Sequence, residues 1–276
     1  MTRDLNAENG GLGELGTLAP GQLEMVSLAL VPVWAAGLRS LWRSGRAPWK
    51  ALAWAYLLLF VVFGLTTGAK VYYLFGAYVY LLPAGFVALD AWLAARARRL
   101  WLMGSAFCLT TAVALPVVLP LLPLSDVAWS YRFNQALGEE VGWSSLVHTV
   151  GSVWRSLPPG QRARAVIFTS NYGEAGAINE LGRGAGLPAA VSGYDDEWWW
   201  GPGNPKATTV VAVAPGPLEV SGYAAYLGRY FHHVRQMATL TNPEGVHNQE
   251  WGGQVYVCTG PRHPWGKLWP ELRHYD

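Results

Sequence analysis

WKALAWAYLLLFVVFGLTT, residues 49–67, decides the first half of the fold. After Lys50 the stretch holds no charged side chain, and about 20 apolar residues match the hydrocarbon thickness of a bilayer. Working outward, residues 71–93 and 100–122 have the same character, and 25–42 is a shorter candidate that carries Pro32. Residues 71–93 hold Tyr72, Tyr73, Tyr78 and Tyr80, and aromatic rings at span ends suit the water–lipid interface. The expectation is a membrane α-helical region of about four transmembrane helices over residues 25–123, followed by a small α/β exterior domain over 124–276.

Composition separates the same two parts. Only 14% of residues are charged, against about 25% in soluble domains. Residues 1–124 hold nine Lys/Arg and five Asp/Glu, whereas 125–276 hold eleven and thirteen. The net charge is +2 with no basic stripe, which excludes a nucleic-acid partner. Cys108 and Cys258 sit in different surroundings, with no disulfide framework and no CxxC zinc spacing. Residues 1–24 are Gly-rich and acidic and read as a flexible polar tail, not a signal peptide. GLGELG at 11–16 spells GxGxxG, but with no preceding strand it reads as a chance match.

Basic residues set the expected orientation. Arg39, Arg43, Arg46 and Lys50 lie between the first two spans, and Arg96, Arg98 and Arg99 between the last two. Both loops are expected in the cytoplasm. That places both chain ends, and the C-terminal domain, outside a plasma membrane crossed several times.

The soluble half alternates strand and helix patterns. Ser144 or Ser145 is expected to cap a helix with apolar positions 146, 147, 150, 153, 154 and 157, stopped by Pro158 and Pro159. Residues 165–169, 208–214, 231–240 and 254–258 read as strands, and 173–181 and 223–229 as helices. Such interleaving favours a small, partly parallel sheet.

Three constellations carry chemistry. DDEWWWGPGNP, 195–205, joins Asp195, Asp196 and Glu197 to Trp198, Trp199 and Trp200. The acids offer oxygens to sugar hydroxyls or a hard cation, and indole faces stack on sugar C–H groups. The alternative is a corner where the indoles pack on the sheet. TSNYGEAGA, 169–177, follows a strand and opens a helix, so Asn171, Tyr172 and Glu174 would line the strand ends where α/β ligands gather; the alternative is a plain turn and helix start. Lys70, with Tyr72 and Tyr73, would meet a lipid phosphate at the outer edge, or simply anchor the span there. His247 with Glu250 is too sparse for a metal set, and no cofactor motif is identifiable.

AKVYYLFGAYVYLLPAG (69–85) resembles a helix of bacterial, especially actinobacterial, membrane glycosyltransferases of family 39. These are relatives of the protein O-mannosyltransferases and of the aminoarabinose transferase that modifies lipid A. SLPPGQRARAVIFTSNYGEAGAI (156–178), DEWWWGPG (196–203), GVHNQEWGGQVYVCTGPRHPW (245–265) and LWPELRHYD (268–276) resemble their C-terminal domain. Val79 stands where that family usually has Pro. The resemblance implies a polyprenyl-phosphate sugar as donor, its phosphate held by Lys70 beside Tyr72 and Tyr73, and an acceptor hydroxyl deprotonated by an acid on an N-terminal exterior loop. No residue here matches that acid, so no catalytic residue is carried over. The expectation is an incomplete chain, through gene decay, a misplaced start or splitting into two chains, the last of which would make a separate N-terminal half a partner. The alternative is a non-catalytic, membrane-anchored module that binds glycan or lipid-linked sugar.

Overall fold

A computed structural model describes residues 12–65, 71–119, 121, 123, 135–214 and 216–275. The chain divides between Leu115 and Pro116 into two compact units.

The first unit is helical: α1 (Leu12–Val26), α2 (Val31–Arg43), α3 (Ala47–Leu65), α4 (Phe75–Ala94, entered through a 3-10 turn, Val71–Leu74) and α5 (Ala97–Val118). Among the described residues, three helical segments are long and apolar enough to cross a membrane: Ala47–Leu65, Val71–Ala94 and Ala97–Pro116. They answer to the expected spans 49–67, 71–93 and 100–122. The expected span 25–42 is not one helix. Ser27 adopts φ 68°, a 3-10 turn covers Leu28–Leu30, and α2 restarts with Pro32 in its first turn. The 13 residues of α2 rise about 20 Å, short of the roughly 30 Å hydrocarbon core.

Residues 12–24 are also not a flexible tail, since they belong to α1. A Pro at position 20 and several glycines make this a poor helix by propensity, and tertiary contacts hold it. Leu18 is buried. Gln22 is fully buried, donates to the Val71 carbonyl (2.8 Å) and accepts from the Tyr78 hydroxyl.

Helix α2 buries Val33, Gly37 and Leu41, one stripe at four-residue spacing. It meets α4 backbone to backbone: a Cβ on Gly37 would overlap the Leu81 carbonyl oxygen, and one on Gly85 that of Val33. Trp34 packs edge-on to Tyr56 and Tyr78. Helix α5 differs, because its apolar window buries none of its residues within the protein.

The second unit contains α6 (Gln135–Glu139), α7 (Trp143–Ser156), α8 (Pro159–Arg162), β1 (Ala165–Thr169), α9 (Tyr172–Leu181), β2 (Ala190–Ser192), β3 (Thr209–Ala214), α10 (Pro217–Tyr230), β4 (Phe231–Thr239), β5 (Gln254–Pro261) and α11 (Trp265–Leu268). Strand order is β2-β1-β3-β5-β4. β2, β1 and β3 run parallel, and β5 is antiparallel to both β3 and β4. The expected small α/β domain with a partly parallel sheet is present.

Strand alternation builds a core on each face. Ile167, Val211, Val213, Val255 and Val257 pack with Leu146, Val150 and Trp154 of α7 and Ile178 of α9. Val166, Phe168, Val210, Ala212, Tyr256 and Cys258 pack with Leu227 of α10 and with Trp265, Leu268 and Trp269. Burial pushes the Cys258 thiol up to about 12, so it is packing and not a nucleophile. Gly142, not Ser144 or Ser145, precedes α7 as its cap; its φ of 94° is one a side chain rarely adopts.

Candidate functional site

The site lies at the carboxyl ends of β1 and β2, where parallel strands leave a crevice for ligands. Asn171 caps α9: its Oδ1 accepts the Glu174 amide (2.8 Å), and the Glu174 side chain returns to the Asn171 amide (3.3 Å). This reciprocal box fixes the turn after β1. Glu174 therefore stands inside the domain, fully buried, with Oε2 also accepting from the Ser170 amide (2.8 Å) and hydroxyl (2.7 Å). Asn171 Nδ2 donates to Glu250 Oε1 (3.3 Å), which brings a second buried carboxyl to the first. Burial, and then the neighbouring Glu250, push the Glu174 carboxyl well above the usual carboxylate range.

The folded domain thus keeps a proton that the unfolded chain releases near pH 4.3, roughly the free Glu value. Stability from that proton is complete below this pH and is lost as pH rises through the folded value. The melting temperature of the full chain in detergent should fall as pH rises above the free Glu value. Glu250→Gln should flatten that slope, because Glu174 then faces an amide. A flat wild-type profile would refute this.

Beside the pair stands an aromatic row. Tyr172 is exposed, and its ring lies 5.3 Å from that of Tyr194, which meets His274 edge-on at 5.3 Å. His274 ties the row down: its ring nitrogens lie 2.9 Å from the Leu272 and Ser170 carbonyls, and its backbone pairs with Gly193 and Asp195. The tie leads into the tryptophan turn, a 3-10 helix over Asp195–Trp200.

The tryptophans of that turn divide between packing and exposure. Trp198 packs: its indole donates to the Trp269 carbonyl (3.0 Å), and the Trp269 indole donates back to the Trp198 carbonyl (3.1 Å). Trp199 and Trp200 point outward, 66% and 82% exposed. The Arg273 guanidinium lies over the rings of Trp198 (4.6 Å), Trp199 (4.7 Å) and Tyr275 (4.9 Å). Such contacts are worth about 0.5–1 kcal/mol at exposed sites and brace Trp198 and Trp199, whose rings meet edge-on at 75°. Asp196 is exposed, and Asp195 and Glu197 are half-buried.

Asn171, Tyr172 and Glu174 thus join the 195–200 turn through Tyr194 and His274. Glu174 is turned inward, away from any acceptor-facing role. Glu250, Arg273 and His274, not among the expected site residues, also join this region. His247 stacks on Trp251 (4.6 Å, 13°). In the helical unit Tyr72 and Tyr73 are exposed and meet edge-on, and Tyr73 also packs on Phe63; Lys70 lies outside the described residues. No group of three His, Cys, Asp or Glu side chains converges among the described residues. No protein-family model, curated protein or solved structure matches the chain.

Proposed function

We propose that this chain serves glycosyl transfer on the outer face of the plasma membrane, in the manner of the family 39 transferases it resembles, and that its C-terminal domain recognises a glycan or acceptor there. The donor in this reading is a polyprenyl-phosphate sugar, met by Lys70, Tyr72 and Tyr73. The observation that carries the recognition role is the outward display of Trp199 and Trp200 on a turn locked by Trp198, Trp269 and Arg273. Rigid exposed indoles offer flat apolar faces to sugar rings at little entropic cost.

Charge placement supports an exterior domain. The Arg39–Lys50 and Arg96–Arg99 groups flank a pair of consecutive spans, so both fall on one side, the cytoplasmic one. The third span then delivers the C-terminal domain to the other side, whether or not residues 25–42 cross.

The second reading, a non-catalytic glycan-binding module, is favoured by the inward burial of Glu174 and Glu250, which leaves the row suited to binding. Turnover of a polyprenyl-phosphate sugar by the chain in detergent supports the transferase; glycan binding without turnover supports the module.

Trp199→Ala and Trp200→Ala in the full chain test recognition. Each should weaken binding to an oligosaccharide array about five-fold, or about 1 kcal/mol for a lost ring face. Unchanged binding in the double variant would remove the sugar-facing role.

A further inference from the structure

We propose that the amino-terminal end of the parallel strands in the C-terminal domain is a docking surface for anionic phospholipid headgroups. The proposal requires a membrane-inserted chain and stands apart from the glycan reading.

No single stretch of the sequence is a basic stripe; the sheet assembles one. Ala165 of β1 pairs with Thr209 of β3, Thr209 with Thr259 of β5, and Pro261 of β5 with Phe231 of β4. The starts of β1, β3 and β4 and the end of β5 therefore share one end of the sheet, across about 15 Å at the usual strand spacing. Backbone bonds fasten the flanking turns there. The Arg164 carbonyl accepts the Thr208 amide (2.9 Å), the Arg262 amide donates to the Tyr230 carbonyl (2.8 Å), and the Gly266 amide donates to the Pro205 carbonyl (3.0 Å).

Arg164, Lys206, Arg229, Arg262 and Lys267 meet at this end, all exposed. His232, His233 and His263 are exposed among them. The stretches that supply them, 162–165, 203–209, 228–234 and 259–268, contain no Asp or Glu. Glu271 stands beside them, its carbonyl accepting from the Tyr230 hydroxyl (3.5 Å).

The other end has the opposite sign. Stretches 138–142, 170–174, 194–197 and 242–251 hold eight Asp/Glu and no Lys or Arg. The second and third follow β1 and β2, and the other two join each other through Glu139 and the Gln249 amide (3.1 Å), whose carbonyl accepts the Gly216 amide just beyond β3. The domain thus separates charge along its strands, and a field of that shape orients it on a charged surface.

A polyanion fits the basic end, and the rest of the chain selects which. The domain is covalently tied to helical segments long and apolar enough to cross a membrane. The tie keeps a lipid surface at high effective concentration, whereas a soluble polyanion must be captured from dilute solution. Each Lys or Arg near an anionic lipid surface strengthens attachment about five-fold, and the effect fades within a Debye length.

The test is hydrogen exchange of the full chain in nanodiscs of phosphatidylcholine, with or without phosphatidylglycerol. Amides in 203–209, 228–234 and 259–268 should exchange about five-fold or more slowly in the anionic discs, with 242–251 unchanged. Salt at about 1 M, where the Debye length is about 3 Å, should erase the difference. Lys206→Glu combined with Lys267→Glu should lose the protection while matching the wild type in neutral discs, as both side chains are exposed. Equal exchange of the wild type in the two kinds of disc overturns the proposal, and so does protection that survives high salt or the double variant. Protection by soluble polyphosphate in neutral discs, with none from anionic discs, also overturns it and assigns this end to a soluble polyanion.

Discussion

Replacing Trp265 by alanine should cost the C-terminal domain about 4 kcal/mol, since truncating a buried Trp or Phe removes roughly 3–5 kcal/mol. The residue is 1% exposed and sits where three parts of the domain meet. Its ring packs on Phe168 of β1 (5.7 Å), Phe231 of β4 (6.2 Å) and Trp269 (6.0 Å). Its indole N–H donates to the Pro202 carbonyl (2.8 Å), just beyond the tryptophan turn. Truncation opens a cavity between sheet and helix, and it also frees the loop that positions Trp199 and Trp200. Denaturant unfolding in detergent, followed by near-ultraviolet circular dichroism, measures the loss. Trp200→Ala is the control, because that ring is 82% exposed and its removal should change stability by less than about 0.5 kcal/mol. A Trp265→Ala loss below about 1 kcal/mol would show that this ring is not a keystone.

The second large effect lies in the helical unit. Gly85→Leu should displace α2 from α4, since even a Cβ at Gly85 would overlap the Val33 carbonyl oxygen. Backbone against backbone leaves no flexible side chain to give way, and overpacking costs about 1–3 kcal/mol even where neighbours can move. Small residues at a helix crossing allow this close approach in membranes as well. Gly76→Ala on the same helix is the counterpart: a Cβ there meets nothing within 4 Å, and helix propensity favours Ala over Gly by about 1 kcal/mol. Limited proteolysis between α2 and α3 should therefore accelerate in Gly85→Leu and stay unchanged in Gly76→Ala. Equal rates in the two variants would discard the contact.

Local pattern carried much of this fold and little of the site. β1 appears at the expected residues because AVIFT is a short apolar run bounded by turn signals, and the burial of α7 follows the spacing of its apolar positions. β2 was not legible, being three residues long and dependent on its pairing with β1. α1 was not legible either: its helix rests on Gln22 reaching Val71 and Tyr78, 49 and 56 residues away. The break at Ser27 hides inside an apolar run, since hydrophobicity does not report a positive φ. In the site, Asn171 and Glu174 stood out because their stretch follows a strand and opens a helix. Glu250 joins them across 79 residues and His274 joins Ser170 across 104. Such pairings leave no trace in local spacing. The three tryptophans look alike in sequence, and what divides them is the reciprocal bond between Trp198 and Trp269.

Helix α5 buries none of its apolar window within the protein. Apart from Thr110, whose hydroxyl meets that of Ser27 (2.9 Å), its positions answer to the medium more than to a neighbour, so one apolar residue serves about as well as another. Its sequence can drift under a constraint on length and greasiness alone, while α4 must keep a glycine at 85. Ancestry in this chain should accordingly be written in α4 and the sheet, and fade first along α5.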